Sequence, residues 1–158
     1  MWVSSEEQCE NPKTCWHVWL YCTNAEKLRL QILNLGSWLA SSYGLSGELS
    51  PSLVNLTVLL QLIVFPGRVI GQILDILGNL HKIEFLAISK NSLSGPIQWS
   101  LNNLYSLHTL DLSYNQLQVS IPVGLTMNAN LKILVFAHND IVGEIPSIES
   151  QLLHIDLG

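Results

Sequence analysis

Histidine and carboxylate side chains are the residues of this sequence that could carry out acid–base chemistry or hold a metal ion. The five histidines are His17, His81, His108, His138 and His154. None of them forms a His-x-x-x-His pair, and no two occupy the same position of the sequence repeat described below. No histidine, serine and aspartate converge in that repeat either, so we interpret the histidines as scattered surface residues.

Two aspartates, Asp111 and Asp156, do occupy equivalent repeat positions, with Val135 at the position between them. Neighbouring strands lie about 4.8 Å apart, so the two carboxylates would be about 10 Å apart. That distance is too large for a shared proton, and no further catalytic group accompanies them. The sequence therefore predicts no catalytic residue, no metal site and no cofactor, and we do not expect an enzyme.

All three cysteines, Cys9, Cys15 and Cys22, precede the repeats. In a cytosolic protein they could be free thiols or part of a metal site, but no second pair of ligands with suitable spacing accompanies them. A disulfide in a secreted protein is favoured over both alternatives.

The elements that would position these side chains are clearest in one unit, residues 101–122. Leu101, Leu104 and Leu107 have a three-residue spacing, which suits a helical or 3₁₀ turn with one face packed inward. Leu110 and Leu112 have a two-residue spacing, which suits a short strand. A single unit could not bury its apolar edge, so it needs copies above and below it.

Those copies recur every 24 residues, and a shortened last copy has Leu152, Ile155 and Leu157 at the strand positions. Strands are predicted near 61–65, 85–89, 109–113 and 133–137. A fixed period of this length is typical of stacked repeats, and the leucine and asparagine spacing is that of a leucine-rich repeat. The predicted fold is a leucine-rich repeat solenoid, a curved right-handed stack with a concave parallel β-sheet and a 3₁₀ or irregular convex side.

The pattern L-x-x-L-x-x-L-x-x-L-x-L-x-x-N-x-L-x-G-x-I-P resembles the plant-type repeat of extracellular receptors over residues 15–158. Its second half is marked by Ser94-Gly95, Ile121-Pro122 and Gly143-Glu144-Ile145-Pro146. The sequence departs from the pattern at Val119 (Gly expected), Gln98 and Leu74 (Pro expected) and Gly67 (Asn expected).

The domain prediction is a partial N-terminal cysteine cap over 1–28, followed by five or six repeats over 29–158, the last one incomplete. The segment from Cys15 to Cys22 is similar to the C-x-W-x-G-V-x-C motif of the family's cap, although Trp16 and Trp19 depart from it. The resemblance implies a Cys15–Cys22 disulfide. The first strand is predicted at Leu33, with an insertion in the 36–44 loop. A strict 24-residue count would instead place Trp38 and Ala40 in this strand.

Composition and charge limit the partners of the chain. It is 48% hydrophobic and 12% charged, as a leucine-packed core requires, and its formal net charge is −5 without a cluster of Lys or Arg. Nucleic acid is therefore excluded as a partner. The longest apolar stretch, near 58–65, is much shorter than the roughly 20 residues of a membrane-spanning helix.

Residues 1–8 contain no basic segment followed by an apolar one, so no signal peptide is predicted there. We expect a fragment of a longer protein that is extracellular or at the cell surface. The sequence contains one N-x-S/T sequon, at Asn55, which the secreted family makes a predicted glycosylation site. It precedes a predicted strand and should lie away from the concave sheet.

Residues that alternate with the inward leucines should face outward and form the partner-binding surface. They are Gln61, Ile63, Phe65, Phe85, Ala87, Thr109, Asp111, Tyr114, Ile133, Val135 and His138. Equivalent positions also contain Pro66, Ser89, Lys90, Ser113, Ala137, His154 and Asp156. We expect an apolar surface with Phe65 and Phe85 as anchors on neighbouring strands and Tyr114 and His138 at the rim. Strand propensity alone would also explain the apolar residues.

Asn91, Asn115 and Asn139 also recur every 24 residues. They could form a polar binding row, but the repeat geometry favours an internal ladder that satisfies backbone groups.

The resemblance implies a non-enzymatic module that binds a protein or peptide ligand, or a co-receptor, in signalling or defence. One alternative is a secreted inhibitor of a pathogen's cell-wall-degrading enzyme, since such inhibitors have similar repeats. Another is a truncated gene product without a partner.

Overall fold

The structure, a computed structural model, describes residues 19–22, 30–35, 46–142, 144–148 and 152–158. In chain order its strands are β1 (Trp19–Cys22), β2 (Leu30–Asn34), β3 (Ser46–Glu48), β4 (Gln61–Ile63), β5 (Arg68–Gly71), β6 (Phe85–Ala87), β7 (Ser92–Gly95), β8 (Thr109–Asp111), β9 (Gln116–Val119), β10 (Ile133–Val135), β11 (Asp140–Ile141) and β12 (His154–Asp156). The 3₁₀ turns Pro51–Asn55, Asp75–Asn79 and Trp99–Asn103 and the short helix α1 (Val123–Thr126) connect them. Within the described ranges, no helix has the length and apolarity needed to cross a membrane.

Seven strands form the main sheet, in the order β1-β2-β4-β6-β8-β10-β12. Leu62, Leu86, Leu110 and Leu134 lie opposite one another on successive parallel strands. The predicted 24-residue phase is thus confirmed, although the regular strands are shorter than predicted. Among the strands that the structure describes, only β1, which lies in the predicted cap region, is antiparallel to its neighbour, β2.

The first repeat has the register predicted from Leu33. In the pairing of β2 with β4, Leu33 lies opposite Leu62. The step between these two leucines is about five residues longer than the later ones, which matches an insertion in a surface loop. Trp38 and Ala40, the alternative strand positions, lie outside the described residues.

A second parallel sheet lies on the other limb of the repeat, with five strands in the order β11-β9-β7-β5-β3. The repeat pattern predicts 3₁₀ or irregular structure for these residues, and the structure shows short strands instead. Their pattern explains the sheet, because Val69, Leu93 and Leu117 are buried and their neighbours along the strand are more exposed. This alternation is the period of a half-buried strand.

The core is a continuous column of leucine and isoleucine side chains between the two sheets and the 3₁₀ turns. Leu62, Leu110 and Leu134 of the main sheet are fully buried. Leu101, Leu104 and Leu107 approach the same core from the turn side and are also fully buried. Full burial of one such side chain contributes about 1.5–3 kcal/mol, so contacts between neighbouring repeats dominate the stability of the stack.

The three repeating asparagines connect each repeat to the one before it. The Asn115 carboxamide oxygen accepts from the Leu93 amide at 3.0 Å, while its Nδ2 donates to the carbonyls of Ile88 (2.8 Å), Leu112 (3.0 Å) and Ser113 (3.2 Å). Asn91 and Asn139 each make three of these four types of bond to backbone groups. These carboxamides satisfy backbone groups at the bend after each strand, where the main-chain ladder ends.

Candidate functional site

The main sheet presents two lanes of side chains on the side opposite the core, because residues on either side of each buried leucine point away from it. The first lane consists of Gln61, Phe85, Thr109, Ile133 and His154. The second lane consists of Ile63, Ala87, Asp111, Val135 and Asp156. The strand register places the members of each lane side by side. Half of the ten positions in the two lanes are apolar, and the polar ones are Gln61, Thr109 and His154 in the first lane and Asp111 and Asp156 in the second.

The exposure of these side chains varies. Ile133 is exposed, and most other members of the predicted set in the two lanes are half-buried. Ala87 is the exception, because its relative exposure is only 6%. The expectation that Ala87 faces solvent is wrong, since its methyl group is short and lies between the larger side chains of Ile63 and Asp111 on the paired strands.

A third lane, the small-residue lane, follows the ends of the strands and consists of Ser89, Ser113 and Ala137, all of them buried. The Asp111 carboxylate accepts hydrogen bonds from the Ser113 amide at 3.0 Å and from its hydroxyl at 2.6 Å. These residues were also expected to face solvent. Their small size leaves a low strip between the second lane and the next set of side chains.

That next set, here called the aromatic rim, consists of Phe65, Lys90, Tyr114 and His138. The Lys90 ammonium lies 5.3 Å from the centroid of the Phe65 ring and 5.5 Å from that of Tyr114. Tyr114 in turn stacks on His138, with ring centroids 4.1 Å apart and an interplanar angle of 26°. Phe65 and Tyr114 are 39% and 47% exposed, and Lys90 and His138 are exposed as well. The rim is therefore a stack of one cation and three rings that remains accessible from solvent.

The backbone of the rim is unusual. Lys90, Tyr114 and His138 have φ angles of 52°, 54° and 58°, the left-handed region that glycine favours. Hydrogen bonds hold this conformation, since the Lys90 amide donates to the Ser113 carbonyl and the Tyr114 amide to the Ala137 carbonyl. Three non-glycine residues thus keep a costly conformation at one position of three successive repeats. Such conformations are concentrated at functional sites.

The predicted binding residues are brought together only in part. Phe85 lies opposite Gln61 in the first lane, whereas Phe65 follows the end of β4 and belongs to the rim. The two phenylalanines, expected as anchors on neighbouring strands, thus lie in different parts of the surface, and Phe65 lies beyond the end of its strand. Lys90 was left out of the predicted binding set, although it shares the repeat position of Tyr114 and His138. The repeat position places Lys90 on the outward face, but it does not show the two rings that lie beside its ammonium group.

Other predicted site residues lie elsewhere. Asn55 is exposed at the end of the first 3₁₀ turn, which precedes β4. Cys22 ends β1, but its predicted partner Cys15 lies outside the described residues, as does Cys9. Among the residues that the structure describes, no group of three or more His, Cys, Asp and Glu side chains could hold a metal ion.

Comparisons with known proteins agree on one architecture. The Leucine Rich Repeat family model matches residues 106–127. A chain of the BIR3–SERK2 complex from Arabidopsis thaliana is 30% identical, with a TM-score of 0.74, over 86% of this chain and 74% of that one. No curated protein sequence matches the chain.

Two longer solved structures are also similar. The ectodomain of the Arabidopsis receptor kinase HAESA, in complex with an N-terminally extended IDA peptide hormone ligand, is 37% identical over 75% of this chain, with a TM-score of 0.67. The ectodomain of the Arabidopsis thaliana receptor kinase GASSHO1/SCHENGEN3, in complex with CASPARIAN STRIP INTEGRITY FACTOR 2, is 24% identical over 80% of the present chain, with a TM-score of 0.66. The present chain spans 20% of each of these two chains.

Proposed function

We propose that this chain, which belongs to the plant leucine-rich repeat family of receptor ectodomains, is a non-enzymatic recognition module that binds a peptide or protein partner across its main sheet. The observation that carries the proposal is the surface formed by the first two lanes and the aromatic rim. Ile133 and Phe65 are exposed there, and the other apolar side chains of the lanes, apart from Ala87, are half-buried. Apolar groups that remain accessible together on one face are a common mark of an interaction site.

The shape of this surface suits an extended chain. The small-residue lane is low, and it lies between the second lane on one side and the aromatic rim on the other. A peptide that follows this strip across the strands would contact one repeat after another. Aromatic side chains lose little conformational entropy on binding, which is one reason that they are enriched among residues that dominate interface energetics.

The solved relatives support the same class of function. The HAESA structure is a complex with a peptide hormone, and the BIR3–SERK2 structure is a complex between two proteins. By analogy we assign the present chain to the recognition of a peptide ligand or a co-receptor outside the cell or at its surface. A role in signalling or defence follows from the same analogy.

The test is selection of binding peptides from a displayed random library on the 158-residue chain, followed by affinity measurement with variants. Ile133→Ser and Val135→Ser change the two lanes, and Trp99→Ser is the matched control, since Trp99 is 67% exposed on a 3₁₀ turn. We expect the lane variants to weaken binding by about 2 kcal/mol where a hot spot is removed, and the control to have no effect. Peptides that bind all variants equally, with unchanged circular dichroism, would contradict the proposal.

A further inference from the structure

Lys90 is the only lysine or arginine within the strand-and-rim segments 61–66, 85–90, 109–114 and 133–138. The rest of this surface is apolar, neutral or acidic, with Asp111 and Asp156 in the second lane. The whole chain has a formal net charge of −5, so a single cation at this place is not part of a general basic surface.

The ammonium group of Lys90 is held between two rings. It lies 5.3 Å from the Phe65 centroid and 5.5 Å from the Tyr114 centroid, both within the range of a cation–π interaction. Lysine side chains on a surface normally sample many rotamers, and binding then requires them to be ordered. The two rings already favour one position of the Lys90 ammonium group. Binding a ligand therefore costs this side chain less conformational entropy than it would cost a freely moving lysine.

No hydrogen-bond acceptor and no carboxylate contacts this ammonium group in the part of the chain that the structure describes. The ring faces stabilise the positive charge but accept no strong hydrogen bond from its N–H groups. Asp111 is occupied with Ser113, to which it accepts two hydrogen bonds. The position therefore combines an ordered cation, unused donors and apolar ring surfaces.

We propose that Lys90 is the anion-recognising residue of this surface and that it binds a carboxylate of the peptide partner, while the Phe65 and Tyr114 rings contact the apolar atoms next to it. The inference rests on the proposed function and specifies the partner as a peptide that carries an accessible carboxylate near an apolar side chain. A charge-assisted hydrogen bond between ammonium and carboxylate is roughly twice as strong as a neutral one.

The probe is N-acetyl-L-phenylalanine, which has a free carboxylate, compared with N-acetyl-L-phenylalaninamide, which does not. Nuclear magnetic resonance would follow the Lys90 ε-methylene and the Tyr114 ring during titration of the 158-residue chain. We expect saturable shifts with the acid and at least about tenfold weaker binding with the amide. Affinity for the acid should fall as salt is added, because the interaction is exposed and electrostatic.

Three variants complete the test. Lys90→Met removes the charge at similar length and should abolish the preference for the acid, whereas Lys90→Arg keeps the charge and should preserve it. Lys82→Met is the matched control, because Lys82 is exposed and lies outside the lanes and the rim. The inference is overturned if acid and amide bind equally, if Lys90→Met retains the preference, or if glucuronate, a sugar acid, binds while the aromatic acid does not.

The test of the Lys90 anion site can fail or succeed independently of the test of the peptide-binding surface. If library peptides still lose affinity through Ile133→Ser while Lys90→Met has no effect on either probe, the recognition surface stands and the anion site is rejected. If Lys90→Met alters acid binding but no lane variant alters peptide binding, the anion site stands and the peptide-binding surface is rejected.

Discussion

The Tyr114 ring stacks on the His138 imidazole with centroids 4.1 Å apart. The two residues occupy the same position in successive repeats, and both have a left-handed backbone. Neighbouring strands are separated by about 4.8 Å, so side chains in register on such strands are already near the distance of stacked rings. The repeat thus generates the stack, and the left-handed backbone places it beside the sheet.

The left-handed backbone at Tyr114 leads to the first prediction. At this position glycine avoids the steric cost of a Cβ atom, about 1–2 kcal/mol, that alanine retains. Tyr114→Gly should therefore be more stable than Tyr114→Ala by about 1 kcal/mol in urea unfolding, after the greater chain entropy of glycine is taken into account.

Thr109 provides the control for that comparison, because it lies in β8 with an extended backbone. There the order should reverse, with Thr109→Gly less stable than Thr109→Ala by roughly 0.5–1 kcal/mol. If alanine were the more stable substitution at both positions, the φ angle of Tyr114 would not be a significant source of strain.

The second prediction concerns Asn115, which is buried and makes four hydrogen bonds with backbone groups. Asn115→Ala leaves the Leu93 amide and the Ile88 carbonyl without this partner. Each buried unsatisfied group costs about 1–3 kcal/mol, so a loss of roughly 2–4 kcal/mol is expected.

Asn115→Asp tests the direction of the bonds, since a carboxylate can accept from Leu93 but cannot donate to carbonyl oxygens. At neutral pH it should be at least as destabilising as Asn115→Ala, because a negative charge would face carbonyl oxygens in a buried site. Asn103→Ala, at an exposed position, should change the free energy of unfolding by less than about 0.5 kcal/mol.

The sequence predicts the main sheet well because each repeat supplies the same constraint. A one-residue shift in strand register would expose Leu62, Leu86 and Leu110 together. The leucine spacing is therefore compatible with only one register of the main sheet. Even the longer first repeat can be placed, because Leu33 and its neighbours alternate as a strand does. The asparagine positions follow from the same periodicity.

Which outward-facing side chains are exposed, and which of them contact one another, depends on side-chain size and on contacts between repeats. The periodicity of the sequence gives no information about either. Ala87 and Ser89 have outward positions in the pattern, but their side chains are too short to reach solvent beside larger neighbours. The position of Lys90 between two rings depends on Phe65 and Tyr114 of the adjacent repeats. Such contacts between different repeats are not visible when each repeat is considered alone.

The third prediction uses two glycines at which adjacent turns approach closely. A Cβ atom on Gly78 would lie 2.3 Å from the Ser100 carbonyl oxygen, a backbone atom that cannot rotate away. Gly78→Ala should therefore destabilise the protein by about 1–3 kcal/mol. On Gly124 the nearest atom would be Cγ of Asn102, at 2.4 Å, which belongs to a side chain.

Because the obstructing atom belongs to the backbone at Gly78 but to a side chain at Gly124, a double-mutant cycle can distinguish the two sites. Asn102→Ala removes the side-chain atoms that obstruct Gly124, and its Oδ1 has no hydrogen-bond partner to lose among the described residues. Asn102→Ala should restore most of the stability lost in Gly124→Ala, with a coupling energy of about 0.5–3 kcal/mol, and should not affect Gly78→Ala. Thermal unfolding of the unmodified chain, the three single variants and the two double variants would measure the coupling energies, and strict additivity of Gly124→Ala and Asn102→Ala would contradict the contact.

The fourth prediction is the Cys15–Cys22 disulfide. A loop this short constrains little of the unfolded chain, so its contribution is on the order of 2–3 kcal/mol at most. Mass spectrometry of proteolytic fragments of the oxidised chain should identify a Cys15–Cys22 peptide pair and an unpaired Cys9. A Cys9–Cys15 linkage would be the contrary result.

The last prediction is a glycan at Asn55. The residue is exposed at the end of the Pro51–Asn55 turn, outside the strands that form the lanes, and Thr57 completes the sequon and is also exposed. Expression through a secretory pathway should give a mass increase that N-glycosidase removes. Asn55→Gln and Thr57→Ala should each abolish it, whereas Asn79→Gln, at the equivalent position of the next repeat and without a sequon, should not. Because the glycan would lie off the main sheet, peptides selected on that sheet should bind the glycosylated and deglycosylated chains with equal affinity. A glycan that reduced their binding would place the recognition surface nearer to the 3₁₀ turns.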